Sequence, residues 1–208
     1  SNTGHEPIQA QVRVAAWAQV NGKDTLTATT DVASSPAMTR IAPGNRQLVR
    51  VVMLNPQTDN RQHSYRLLID ELPDLEAAQQ EENAVHFLLR YSIPVFITGE
   101  KVTNPMPLTC TWDARRRVLS FANPGQEYAR LSDIELISAS GTQLADVRGL
   151  AGYVLAESRI DIPVNYRGNT PPTSLNLHLN SHNDDCVLAS GRPVSAPAVP
   201  SSASSHRG

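Results

Sequence analysis

Apolar and polar residues alternate along this chain in short runs, and most of the runs end at a glycine, proline or asparagine turn. A period of two is that of a β-strand, whose successive side chains point to opposite faces. Ile8–Val20 (IQAQVRVAAWAQV) is the first such run and stops at the tight-turn pair Asn21-Gly22. Thr25–Val32 is threonine-rich and β-compatible, Ser34–Pro36 interrupts it, and Met38–Ile41 resumes an extended segment. Ala42-Pro43-Gly44-Asn45 reads as a turn and Gln47–Leu54 (QLVRVVML) as a strand. Ser64–Leu72 alternates again, with Tyr65, Leu67 and Ile69 on one face. Pro73–Asn83 has no apolar stripe, so a solvated loop is expected there rather than a short helix at Leu75–Glu81.

The second half repeats the rhythm after Gly99–Pro107, whose Gly and Pro suit a linker. Strands are expected at Leu108–Asp113, Val118–Ala122, Ala129–Ala139, Thr142–Asp146, Tyr153–Glu157, Arg159–Tyr166 and Ser174–Leu179, with a short piece at Cys186–Leu188. Evenly spaced short strands point to an all-β chain with a sandwich in each half. The boundaries expected are residues 1–98 and 99–192, followed by a disordered tail at 193–208 that has no large apolar residue except valine. At 208 residues the chain is long enough for two small cores.

Val85–Phe96 (VHFLLRYSIPVF) stands out. Val85, Phe87, Leu89 and Tyr91 alternate with His86, Leu88, Arg90 and Ser92. Such a row is more apolar than an edge strand should show to water. Either its own domain covers it, or the strand is shared with another chain.

Chemistry is sparse by comparison. A formal net charge of −2 gives no electrostatic case for nucleic acid or for insertion at an anionic membrane, and no apolar run reaches the about 18 residues of a membrane helix. The opening SNTGHE has neither a basic region nor an apolar core, so a signal peptide is expected to be absent or removed. There is no nucleophile elbow, HExxH, phosphate loop or CxxC. His178, His182, Asp184 and Asp185 are the best metal candidates, but on one strand His178 and His182 would stand roughly 13 Å apart, so no metal is expected. Arg115-Arg116-Arg117 reads as a solvated hairpin turn, and Trp17 and Trp112 as core anchors of their respective sandwiches. Cys110 and Cys186, the only cysteines, permit one disulfide or two separate buried thiols.

Five segments in order carry a family resemblance. RIAPGNRQLVRV (40–51), YRLLIDELP (65–73), VHFLLRYSIPVF (85–96), NPGQEYARLSDIEL (123–136) and GYVLAESRIDIPV (152–164) resemble the periplasmic chaperones of chaperone–usher pilus assembly, above all the archaic, Csu-like branch. The resemblance implies two immunoglobulin-like β-sandwich domains set in an L and a periplasmic, non-enzymatic protein without a cofactor. Its partners would be pilin subunits and an outer-membrane usher. It makes Val85, Phe87, Leu89 and Tyr91 the donor residues that fill the groove left by a pilin's missing strand. The family's periplasmic setting also favours a Cys110–Cys186 disulfide.

Two departures qualify it. The family's first domain opens with two further strands before the one matching Ile8–Val20, so an open first sandwich is expected, completed by a longer chain, a homodimer or a strand swap. Those strands carry an arginine that helps hold the pilin's C-terminal carboxylate. The family's second anchor, a lysine, falls on Pro94 here. Arg90 is the nearest basic residue on the strand and the candidate anchor, set against an ordinary salt bridge. The alternative function is a two-domain immunoglobulin-like adhesion or ligand-binding module, in which Val85–Leu89 is simply a buried strand.

Overall fold

The computed structural model describes residues 1–56, 59–73, 88–98, 108–180 and 182–188. Every regular element among them is a strand. The N-terminal half holds β1 (Ile8–Val20), β2 (Lys23–Ala28), β3 (Val32–Ser35), β4 (Met38–Ile41), β5 (Arg50–Met53), β6 (His63–Leu72) and β7 (Arg90–Ile97). Asn21 and Gly22 both adopt positive φ, which turns β1 back into β2 in the sense that matches strand twist. One sheet runs β2-β1-β6-β7, with β4 also paired to β1, and a second contains β3 and β5. Ala10, Val12, Val32, Tyr65 and Leu67 are buried in this half.

The C-terminal half holds β8 (Thr109–Asp113), β9 (Val118–Asn123), β10 (Ala129–Ser138), β11 (Gln143–Val154), β12 (Ser158–Pro163), β13 (Pro172–Leu179) and β14 (His182–Val187). Sheets β12-β9-β8 and β11-β10-β13-β14 enclose Leu119, Phe121, Leu131, Ile134, Leu136 and Leu175, all fully buried. Cys110 on β8 and Cys186 on β14 are joined as a disulfide that ties one sheet to the other.

Several strand expectations need correction. Of the expected strand Thr142–Asp146, Gln143–Asp146 belongs with Tyr153 to one continuous strand, β11, because Gly149 takes a positive φ opposite a register shift in β10 and carries the chain through the irregularity. Glu157 lies in the turn beyond it, also at positive φ. Gln47–Leu54 shrinks to Arg50–Met53, the Gln47 amide bonding Thr39 and the Leu48 carbonyl instead. The stretch at Leu75–Glu81 lies outside the described residues.

The two halves differ in closure. Val51, Val52 and Leu54 stay exposed on and beside β5, whose outer edge has no partner among the described residues.

Candidate functional site

β7 ends its sheet, paired only with β6 among the described residues. The register sets Tyr91 opposite Ile69, Ile93 opposite Leu67 and Val95 opposite Tyr65. Tyr65 and Leu67 are core residues, so Leu89, Tyr91, Ile93 and Val95 lie on the core face of the sheet. Yet Leu89 is 53%, Tyr91 55% and Ile93 44% exposed. A core-facing row left this open is the clearest unfilled surface of the N-terminal half. Val85 and Phe87 lie outside the described residues. Ile93 joins the row unforeseen: it continues the same alternation, but the neighbouring Pro94 obscures the pattern.

One hydrogen bond fixes how the edge is phased. The Glu71 N–H donates to the Leu89 carbonyl at 2.9 Å. In an antiparallel ladder, inward and outward residues then alternate. Tyr91, Ile93 and Val95 turn their main-chain groups towards β6, and Arg90, Ser92, Pro94 and Phe96 turn theirs to the free side.

The opposite face of the sheet is charged and aromatic. Asp70 receives Arg13 at 2.6 Å and also bonds Arg90. Arg13 first, then Arg90, holds the Asp70 carboxyl below the usual carboxylate range. Arg90, the candidate anchor, is thus in a salt bridge and on the face away from the apolar row. Arg66, opposite Pro94, has its guanidinium 3.6 Å above the Trp17 ring and 5.7 Å from that of Tyr153. Burial lowers its pKa, and no carboxylate stands within ion-pair distance of it among the described residues.

Trp17 corrects a second expectation. It is buried, not within its own sandwich but between the halves, 5.6 Å from Tyr153 and 5.9 Å from Phe96, which stacks on Tyr128 at 3.9 Å. Two glutamines clasp the same joint. Gln19 donates to the Tyr153 carbonyl at 2.7 Å and accepts from the Leu155 N–H at 3.1 Å. Gln62 accepts from the Tyr128 N–H at 3.0 Å, and its own N–H donates to the Gln126 carbonyl at 2.8 Å. Trp112 packs on the C-terminal core beside Tyr166.

Among the described residues no catalytic arrangement is assembled. A cleft of about 210 Å³ between the halves brings together Asp31, Arg61, His63 and Ser158. His63 is held by Asp59 at 2.5 Å, and the Ser158 hydroxyl donates to the Ala156 carbonyl rather than to the imidazole. The chain does turn between His178 and His182, but His178 pairs with Asp133 at 3.3 Å, and no group of three metal-ligating side chains occurs among the described residues. In the arginine run, Arg116 forms an ion pair with Asp161 at 3.0 Å.

Comparison with known proteins adds a family. Residues 1–103 match the model described as pili and flagellar-assembly chaperone, PapD N-terminal domain. No curated protein matches in sequence. Among solved structures, the chain is similar to one in the CsuC–CsuE chaperone–tip adhesion subunit pre-assembly complex of archaic Csu pili from Acinetobacter baumannii, at TM-score 0.67 and 24% identity over 91% of this chain and 89% of that one. The CupB2 chaperone of Pseudomonas aeruginosa follows at TM-score 0.58 and 19% identity, covering 91% and 90%. The Salmonella enterica SafA pilin–SafB chaperone complex matches at 0.61 and 16%, covering 90% and 86%. These likenesses show the fold, two immunoglobulin-like domains.

Proposed function

The chain belongs to the PapD-like chaperones of pilus assembly, and from that premise we propose that it holds pilin subunits by lending them β7 and the segment before it. Val85, Phe87, Leu89 and Tyr91, extended by Ile93, enter the subunit's open groove, while the free edge of β7 supplies main-chain bonds. The observation that carries this reading is the exposure of Leu89, Tyr91 and Ile93 on a core-facing row. In an adhesion module with a closed sandwich that row would be covered. Burying each such side chain contributes about 1.5–3 kcal/mol before ordering costs.

The protein works without catalysis or nucleotide, in the periplasm, and delivers its subunit to an outer-membrane usher. Arg66 is better placed than Arg90 to receive a subunit carboxylate, since Arg90 must first leave Asp70. Without a subunit, the exposed edge of β7 takes a second copy of the chain.

Phe87→Asp and Leu89→Asp test this directly. Each should abolish capture of a purified pilin lacking its own N-terminal donor segment, with the melting temperature nearly unchanged. Both should shift a dimer to monomer in sedimentation, and Arg66→Ala should weaken capture more than Arg90→Ala. Capture retained by both aspartate variants would refute the proposal.

A further inference from the structure

Pro94 sits at a particular place on the free edge. Arg90, Ser92, Pro94 and Phe96 direct their main-chain groups away from β6, as the Glu71–Leu89 bond and the register require. Arg90 and Ser92 each present an N–H and a carbonyl to an incoming strand. Pro94 presents only a carbonyl, having no N–H. Proline at this phase leaves the internal ladder to β6 intact, which is why an edge strand tolerates it there and nowhere else. At the inward positions Ile93 or Val95 it would remove a bond to Leu67 or Tyr65.

Beyond Pro94 the edge is closed by bulk. The next outward residue, Phe96, stacks on Tyr128 at 3.9 Å and lies 5.7 Å from Tyr153, both from the C-terminal half. Chemistry and sterics therefore act in succession, the missing donor at Pro94 and the aromatic stack at Phe96. Upstream, the outward amides of Arg90 and Ser92 have no partner among the described residues and the apolar row is exposed. Downstream there is a missing donor followed by a wall of aromatic rings.

We infer that Pro94 is a register stop: it ends the main-chain ladder between β7 and a captured strand, so that the strand pairs as far as Ser92 and no further. Pro94 is a positioning residue. By ending the ladder at one place it sets which subunit side chains meet Leu89, Tyr91 and Ile93, because a slip of one residue would present the other face. The inference rests on the strand-lending reading above and adds where the lending ends.

Amide hydrogen exchange, followed by NMR on the full chain with and without a purified pilin lacking its N-terminal donor segment, tests both layers separately. On binding, the Arg90 and Ser92 amides should slow at least 10-fold while the Phe96 amide is unchanged. In Pro94→Ala, whose added N–H completes the edge, the new amide at position 94 should slow alongside them. Slowing of Phe96 to match Ser92 in the unaltered chain would overturn the stop. So would a position-94 amide that stays unprotected in the variant while Ser92 is protected. No change at Arg90 or Ser92 would instead overturn the strand-lending reading itself.

Discussion

Asp161 is the residue on which the two halves and one core depend together. Its carboxylate accepts from Ser120 at 2.7 Å and pairs with Arg159 at 2.9 Å and Arg116 at 3.0 Å. Its N–H donates to the Gly22 carbonyl at 2.8 Å, across the joint. A Cβ on Gly22 would lie 2.5 Å from the Asp161 Cγ, so the turn of the first hairpin can dock only as glycine, the residue its positive φ also favours. Burial pushes the Asp161 carboxyl up, but Ser120, Arg159 and Arg116 outweigh it and hold the group below the usual carboxylate range. A depressed pKa in the folded state means stability that is present above the ordinary carboxylate pKa and lost as pH falls through the folded one. Urea midpoints should therefore be flat in this contribution at neutral pH and fall below roughly pH 4. Asp161→Asn should cost about 1–3 kcal/mol at pH 7 and flatten the acid limb; an acid limb as steep as before would show that other carboxylates carry it.

At the scale of elements, what was legible in the sequence follows a physical line. β1 and β4 were read to the residue, because alternation and a positive-φ turn are local properties. β11 was not, since Gly149 resembles a terminator until its N–H is seen donating to the Asp133 carboxylate across a bulge. Trp17 was misplaced for a longer-range reason. Along β1 the buried positions change from even (Ala10, Val12) to odd (Ala15, Trp17) with no shift in register to β6. The strand is covered on one face by its own half and on the other by the C-terminal half, and alternation alone cannot say which face is covered where. Of the apolar row, the alternation of Leu89 and Tyr91 was legible; its extension to Ile93, and the capture of Arg90 by Asp70, needed the ladder. The disulfide is an element-scale device of the same kind. It closes a loop of 76 residues by tying β14, an edge strand, to β8 in the facing sheet. Chain entropy for such a loop predicts a stabilisation of about 4 kcal/mol, of which measured proteins often realise about 2–4. Replacing Cys110 and Cys186 together by serine should lower urea stability by about that much, with exchange rising first in β14. An unchanged midpoint would mean the enclosed core alone holds the strand.

For the whole molecule the decisive feature is the joint, because a strand lent by one half can be used only if the other half stays clear of it. At its centre the joint holds the Arg66 guanidinium, stacked over the Trp17 ring. Trp17, Phe96, Tyr128 and Tyr153 form its apolar part, and Gln19 and Gln62 add amide bonds to main-chain groups of the C-terminal half. The ion pair across it between Arg61 and Glu157, at 3.9 Å, is exposed on both sides and so contributes little. Each glutamine reaches a main-chain position that no side-chain substitution in the partner half can remove. The Gln19 amide satisfies a carbonyl and an N–H at once, and the Gln62 side-chain oxygen takes the Tyr128 N–H, so alanine at these positions leaves those main-chain groups unmet. Replacing Gln19 and Gln62 together by alanine should leave the strand content of each half intact by circular dichroism, widen the distribution of inter-half distances in X-ray scattering, and weaken subunit capture about 10-fold. The loosened joint would let the C-terminal half swing across the end of β7, where Phe96 meets Tyr128. Unchanged scattering and unchanged capture would place the fixing of the two halves in the aromatic cluster alone, and Phe96→Ala would then be the variant that loosens it.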